Sequence, residues 1–96
     1  MSILVHIYYT GIDGNAKKFA QEMIESGIVN DIRAEEGNLK YDYFFPIDDE
    51  ETVLLIDKWT NLEALDIHHK SSMMTKIAEL RNKYKLKMKV ERFDCD

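Results

Sequence analysis

The segment TVLLIDKW, residues 52–59, carries apolar side chains at both alternating positions of a β-strand. Successive side chains of a strand point to opposite faces, so Val53 and Leu55 lie on one face and Leu54 and Ile56 on the other. A strand that is apolar on both faces predicts a sheet that is covered on both sides. Helices packed on the first face cannot cover the second, and we therefore expect a second copy of the chain to cover it in a homodimer.

Further strand patterns lie on both sides of this segment. Strands are predicted at residues 3–9 (ILVHIYY) and 39–45 (LKYDYFF), where β-branched and aromatic residues are frequent. The chain closes with LKMKVERF, in which Leu86, Met88 and Val90 alternate with charged residues and are expected to face inward. Four strands are therefore predicted.

Helical periodicity fills the two longer gaps between these strands. The first gap contains apolar residues at helical spacing, with Gly27 as an expected interruption. These residues are Ala16, Phe19, Ala20 and Met23. In the second gap, Asn61 is expected to cap a short helix that ends near His69, and a longer helix begins at Ser71 or Ser72. The longer helix carries a stripe of Met73, Ile77, Leu80 and Tyr84.

The resulting order βαββαβ predicts an α+β fold with a ferredoxin-like arrangement. We expect one domain over residues 1–96, with a four-stranded antiparallel sheet and helices on one face. Two such sheets packed against each other would form a dimeric α/β barrel.

Charge and composition exclude several classes of protein. The net charge is −5, from 18 acidic and 13 basic residues, which argues against a nucleic-acid-binding protein. Cys95 is the only cysteine, and no long apolar run is present, so we expect a cytoplasmic protein without a membrane segment. The sequence has no zinc signature and no glycine-rich phosphate loop, and we expect neither a metal site nor a cofactor.

The stretch DIHHKSSMM contains two adjacent histidines, His68 and His69. Adjacent helical side chains point about 100° apart, so these two cannot easily bind the same metal ion. Helical periodicity places His69 between Leu62 and Leu65 and predicts it as the buried histidine. Met73, at the end of the stretch, is expected either to fill the core or to line an aromatic-substrate pocket.

Three motifs, in this order and spacing, resemble those of the antibiotic biosynthesis monooxygenase (ABM) family. They are a Glu-x-Gly-x-x-x-Tyr strand, an acidic-x-Trp strand end, and a helix with Ala-Leu-x-x-His. The matching residues here are Glu35, Gly37 and Tyr41; Asp57 and Trp59; and Ala64, Leu65 and His68. The resemblance covers nearly the whole chain. Two departures stand out, because Asp57 replaces the usual glutamate and Met73 stands where a second histidine commonly follows.

The resemblance implies a ferredoxin-like dimer and several types of activity. Family members oxygenate quinols and anthrones without metal or flavin, degrade heme, or isomerise a phosphorylated autoinducer-2 sugar. The leading expectation is a cofactor-independent monooxygenase that oxidises a small quinol or phenol with dioxygen. An isomerase of a small phosphorylated sugar, a heme-degrading protein and a non-catalytic dimeric ligand-binding module are the alternatives.

The same resemblance implies a set of site residues, and it selects His68 where periodicity selects His69. His68 is the predicted base, since an imidazole that titrates near neutrality can take a proton from a phenol. Trp59 is predicted to act with it in catalysis. The predicted substrate-binding residues are Tyr41, Asp42, Asn38, His6 and Met73. In the isomerase alternative, Asp42 and His68 would form an acid/base pair.

Overall fold

A computed structural model describes residues 1–95, and the last residue of the predicted single domain, Asp96, lies outside the described residues. The strands are β1 (Ser2–Thr10), β2 (Asn38–Phe44), β3 (Thr52–Trp59) and β4 (Lys87–Cys95). The helices are α1 (Asn15–Glu25), α2 (Ile28–Arg33), α3 (Leu62–His69) and α4 (Ser72–Lys83). Each predicted helical connection thus contains two helices, and Gly27 separates the first pair as expected.

The four strands form one antiparallel sheet in the order β2-β3-β1-β4. This order is that of a ferredoxin-like fold, so the predicted fold class is confirmed. The predicted bounds of β3 are also confirmed. No helix within residues 1–95 has the length and apolar character needed to cross a bilayer.

The core lies between the helices and one face of the sheet. All four apolar residues predicted for the first helix are buried against this face. They pack with alternate residues of β1 and β3, including Val5, Tyr9 and Leu55. On the second long helix, Ile77 is buried, whereas Met73, Leu80 and Tyr84 are half-buried against the edge of the core.

β4 differs from the expectation that its apolar residues are buried. Met88 and Val90 do lie on the helix-facing side, opposite Tyr9 and Ile7 of β1. They are nevertheless 45% and 51% exposed. The helices pack over the other three strands and leave β4, an edge strand, largely uncovered. Strand alternation gives the direction of a side chain, but burial also depends on how far the helices extend.

The second face of the sheet carries the strand side chains that point away from the helices. Leu54 and Ile56 of β3 lie beside Tyr8 and His6 of β1, and all four are half-buried. Phe93 of β4 extends this surface and is 43% exposed. An apolar surface thus lies opposite the helices, and we call it the open face.

A close approach at Gly37 joins the turn before β2 to α3. The residue has a φ of +86°, and a Cβ added to it would lie 2.5 Å from the Ala64 Cβ and 2.8 Å from the Thr60 Oγ1. The Thr60 N–H also donates to the Gly37 carbonyl at 2.9 Å. The third position of the Glu-x-Gly-x-x-x-Tyr motif therefore lets α3 lie against this turn.

Gly37→Ala should lower the free energy of unfolding by about 2–5 kcal/mol, because it combines backbone strain of about 1–2 kcal/mol with overpacking of about 1–3 kcal/mol. Gly27→Ala is the matched control, since Gly27 has a φ of +87° but open space around its Cβ position. It should cost only about 1–2 kcal/mol. Urea unfolding of both variants measures the difference, and equal losses would argue against a tight contact at Gly37.

Candidate functional site

A cavity of about 230 Å³ lies between the helix-facing side of the sheet and helices α3 and α4. Its interior is formed by buried side chains of the first three strands and of both helices, including Val5, Leu55, Leu65 and Ile77. Its opening is on the β4 side, where the helices leave the strand uncovered. The apolar interior suits a small, largely apolar ligand.

His68 lies in the wall of this cavity and is only 3% exposed. Its Nδ1 is 2.9 Å from the Glu35 Oε2. Since a carboxylate only accepts hydrogen bonds, Nδ1 is the donor and Nε2 is the ring nitrogen left for the cavity. The imidazole also stacks on the Trp59 indole, with ring centroids 4.7 Å apart and planes 26° apart. Two neighbours thus fix the ring.

The local sequence explains why α3 presents this histidine. The Asn61 side chain caps the helix, and its Oδ1 accepts from the Ala64 N–H at 2.9 Å. Ala64, Leu65 and His68 then form the buried stripe, at spacings of three and four residues.

The prediction from periodicity that His69 is the buried histidine is wrong. His69 is exposed and lies at the rim of the cavity, where burial of part of its ring and the charges of His68 and Arg92 lower its pKa. The buried stripe is rotated from the predicted one because Leu62, which the periodicity placed inward, is 50% exposed. The resemblance selected the buried histidine, and periodicity did not.

Asp57 is an acidic group inside the cavity. It is 4% exposed, and burial raises its pKa to about 7, an increase that the neighbouring Trp59 indole partly offsets. Its Oδ1 and the Trp59 Nε1 are both buried without a hydrogen-bond partner of regular geometry among residues 1–95. A large fraction of Asp57 is therefore protonated near neutral pH and can donate a hydrogen bond to a ligand.

Two tyrosines complete the polar part of the interior. Tyr9 and Tyr41 are each 2% exposed and line the cavity. Burial raises the pKa of both hydroxyls well above the ordinary value, so both are neutral O–H groups at physiological pH. They add polar contacts without adding charge.

The structure brings together only part of the predicted site. His68 and Tyr41 line the cavity, and Trp59 lies behind the imidazole, fully buried. Met73 packs against the core, whereas the adjacent Met74 lines the cavity in its place.

The other predicted residues lie away from the cavity. Asn38 and Asp42 line a separate open groove beside β2, where Asp42 pairs with Arg33 at 2.8 Å. His6 is on the open face, with its ring 5.2 Å from that of Phe93. In β2, Tyr41 faces the helices and its neighbour Asp42 faces the other way, as strand alternation requires.

Several residues of the site were not predicted as site residues. Glu35 lies outside the cavity and bonds the histidine, and Asp57 is a buried acid inside it; both belong to the motifs, but the motif spacing does not reveal these roles. Arg81 of α4 and Arg92 of β4 line the cavity and have no motif to mark them. Within the part of the chain that the structure describes, no three His, Cys, Asp or Glu side chains cluster as metal ligands would.

Comparisons with known proteins agree with this architecture. The family model of antibiotic biosynthesis monooxygenases matches residues 2–80. In Bacillus subtilis, "Putative monooxygenase YcnE" is 36% identical over 45 residues. That alignment covers 47% of this chain and 47% of YcnE, so it spans about half of the curated relative's length.

Solved structures extend the likeness over the whole fold. A "putative antibiotic biosynthesis monooxygenase" of Deinococcus radiodurans matches with a TM-score of 0.85 at 18% identity, covering 98% of this chain and 92% of that one. SnoaB of Streptomyces nogalater, a cofactor-independent oxygenase, matches with a TM-score of 0.81 at 11% identity and the same coverage. At such identities these structures show a shared fold, while the family model covers most of the sequence. The chain belongs to the antibiotic biosynthesis monooxygenase family.

Proposed function

We propose that this protein is a cofactor-independent monooxygenase that oxidises a small phenol or quinol with dioxygen. The observation that carries the proposal is the buried imidazole of His68, which a carboxylate holds in the wall of a small apolar cavity. Such a site can deprotonate a hydroxyl group away from bulk water. The family match and the likeness to a cofactor-independent oxygenase support the same reaction type.

The first step is a proton transfer. His68 Nε2 takes the proton of the substrate hydroxyl and leaves a phenolate in the cavity. The Glu35 carboxylate accepts from Nδ1 and stabilises the positive charge that the ring gains. Glu35 acts through His68, so it is a positioning residue.

The phenolate then supplies the electrons. It gives one electron to dioxygen, and the resulting superoxide and substrate radical combine by a C–O bond at a ring carbon that carries hydrogen. His68 returns its proton to the peroxide. The O–O bond breaks while the C–H proton and hydroxide leave together as water. One oxygen atom remains in the quinone product, and no external reductant is consumed.

The remaining cavity residues hold the substrate. Asp57 in its protonated form can donate to a substrate oxygen, and Tyr41 offers a ring edge and a neutral hydroxyl. Trp59 supports the imidazole from behind through the stacked contact. These groups favour a neutral or singly deprotonated aromatic ring in the interior.

The geometry gives less support to the alternative activities. An isomerase with Asp42 and His68 as its acid/base pair needs both in one cavity, and they line different ones. A heme would need a much larger pocket, whereas a cavity of about 230 Å³ suits a small aromatic ring. A pure binding module would also use this cavity, and catalysed oxygen uptake separates it from the oxygenase.

His68→Ala should reduce catalysed oxygen uptake by about 100-fold or more, because general-base catalysis contributes about that much. Oxygen consumption is measured with a panel of naphthols and naphthalene diols, against an enzyme-free blank for autoxidation. Glu63→Ala is the matched control, since it truncates an exposed side chain of the same helix. Unchanged uptake by folded His68→Ala protein would remove His68 from the mechanism, and turnover without oxygen would contradict the oxygenase.

We also propose that two copies of the chain pair through the open face, where Leu54, Ile56 and Phe93 lie. Ile56→Glu should then convert the dimer to a monomer, because it places a charge inside an apolar interface. Ile24→Glu is the control, since Ile24 is a 53% exposed apolar residue on α1. Light scattering after size-exclusion chromatography gives the mass, and a monomeric parent protein at micromolar concentration would contradict the dimer.

A further inference from the structure

We propose that the opening of the cavity selects an aromatic substrate that carries a carboxylate, which Arg81 and Arg92 bind. This inference deepens the proposed function and rests on it for the reaction, but the charge preference concerns binding alone. The two arginines come from different elements, α4 and β4, and both line the same cavity.

The exposure of the lining residues places both guanidinium groups at the opening. The interior residues are buried, whereas Arg81 is half-buried and Arg92 is exposed. Arg92 lies on the helix-facing side of β4 because it is paired with the buried Val5 of β1. The rim of the cavity is therefore cationic on two sides.

The electrostatic effects of the two arginines on neighbouring groups agree with these positions. The positive charge of Arg81 partly offsets the increase in the pKa of Tyr9 that burial causes. The positive charge of Arg92 contributes to the lowered pKa of His69. Arg81 thus lies near a hydroxyl of the interior, and Arg92 lies near the histidine at the rim.

Neither guanidinium forms an ion pair within residues 1–95. By contrast, Arg33, Lys40 and Lys83 all pair with carboxylates. The hydrogen-bond partner of Arg81 is the uncharged thioether of Met88, with Nη1 to Sδ at 3.2 Å. Asp57 has a pKa of about 7, so near neutral pH it is only partly ionised and compensates the positive charge only in part. Two guanidinium groups without an ion-pair partner at one opening attract an anionic group.

The interior explains why the anionic group would remain at the rim. Burial of an unpaired carboxylate among Val5, Leu55 and Leu65 would be costly. At the opening, the same carboxylate would receive charge-assisted hydrogen bonds from guanidinium groups, whose fork matches its two oxygens. A ring inside the cavity with its hydroxyl toward His68 and its carboxylate toward the arginines satisfies both requirements.

Calorimetric titration under nitrogen tests the preference without turnover. The probes are 6-hydroxy-2-naphthoic acid and 2-naphthol, which share the ring and the hydroxyl and differ in the carboxylate. We expect the acid to bind about tenfold or more tightly, as charge-assisted hydrogen bonds typically allow. Arg81→Gln and Arg92→Gln should each reduce that ratio severalfold, and added salt should weaken it as well.

Lys76→Gln is the matched control, since it removes one positive charge from an exposed position of α4 that does not line the cavity. It should leave the ratio unchanged. Equal affinities for the two probes, no binding of either, or a ratio that survives both arginine substitutions would each overturn the proposal. If the ratio behaves as expected while oxygen uptake is absent, the proposed reaction fails and the charge selection stands.

Discussion

The hydrogen bond between Glu35 and His68 connects the parts of the molecule on which the site depends. Glu35 follows α2, His68 ends the buried stripe of α3, and Trp59, at the end of β3, stacks on the imidazole. Gly37 lets α3 approach the turn closely enough for this contact to form. A hydrogen bond to a charged group typically contributes about 1.5–3 kcal/mol, so the same contact stabilises the fold and orients the proposed base.

Residues of three motifs that are separate in the sequence lie together around this contact. The glutamate and glycine of the first motif, the tryptophan of the second and the histidine of the third meet at one end of the sheet. Glu35 accepts the hydrogen bond of the imidazole, and Gly37 permits the close approach of α3. Trp59 stacks on the imidazole of His68, the group that can take a proton. A family pattern spread over more than thirty positions is thus a single three-dimensional arrangement around His68.

The fold was predictable because its signals are local. Strand alternation and the cap at Asn61 are properties of short segments, and the bounds of β3 follow from composition alone. Burial was less predictable because it depends on how the helices lie on the sheet. Met88 and Val90 alternate as core residues do, yet no helix extends over them. Burial on α3 also depends on how this helix lies on the sheet, so the periodicity of its eight residues did not reveal which histidine faces inward.

The candidate site was predictable in part, for the same reason. His68 was found through a resemblance, whereas the buried acid at Asp57 and the two arginines depend on tertiary placement. Asp42 was proposed beside Tyr41, although neighbours on a strand face opposite sides of the sheet. The resulting cavity has an apolar interior, polar groups beside His68, and positive charge at its opening. In the proposed function, such an arrangement would separate the reacting end of a ligand from its charged end.

The tautomer of His68 tests the central claim most directly, and it needs no knowledge of the substrate. Long-range proton–nitrogen correlation spectra of nitrogen-15 labelled protein distinguish the two ring nitrogens, and a His68→Gln variant assigns the signals. At about pH 9, where an ordinary imidazole is neutral, we expect Nδ1 to carry the proton and Nε2 to be unprotonated. A neutral ring with its proton on Nε2 would contradict the account, because Glu35 would then not hold the imidazole and no base would face the cavity.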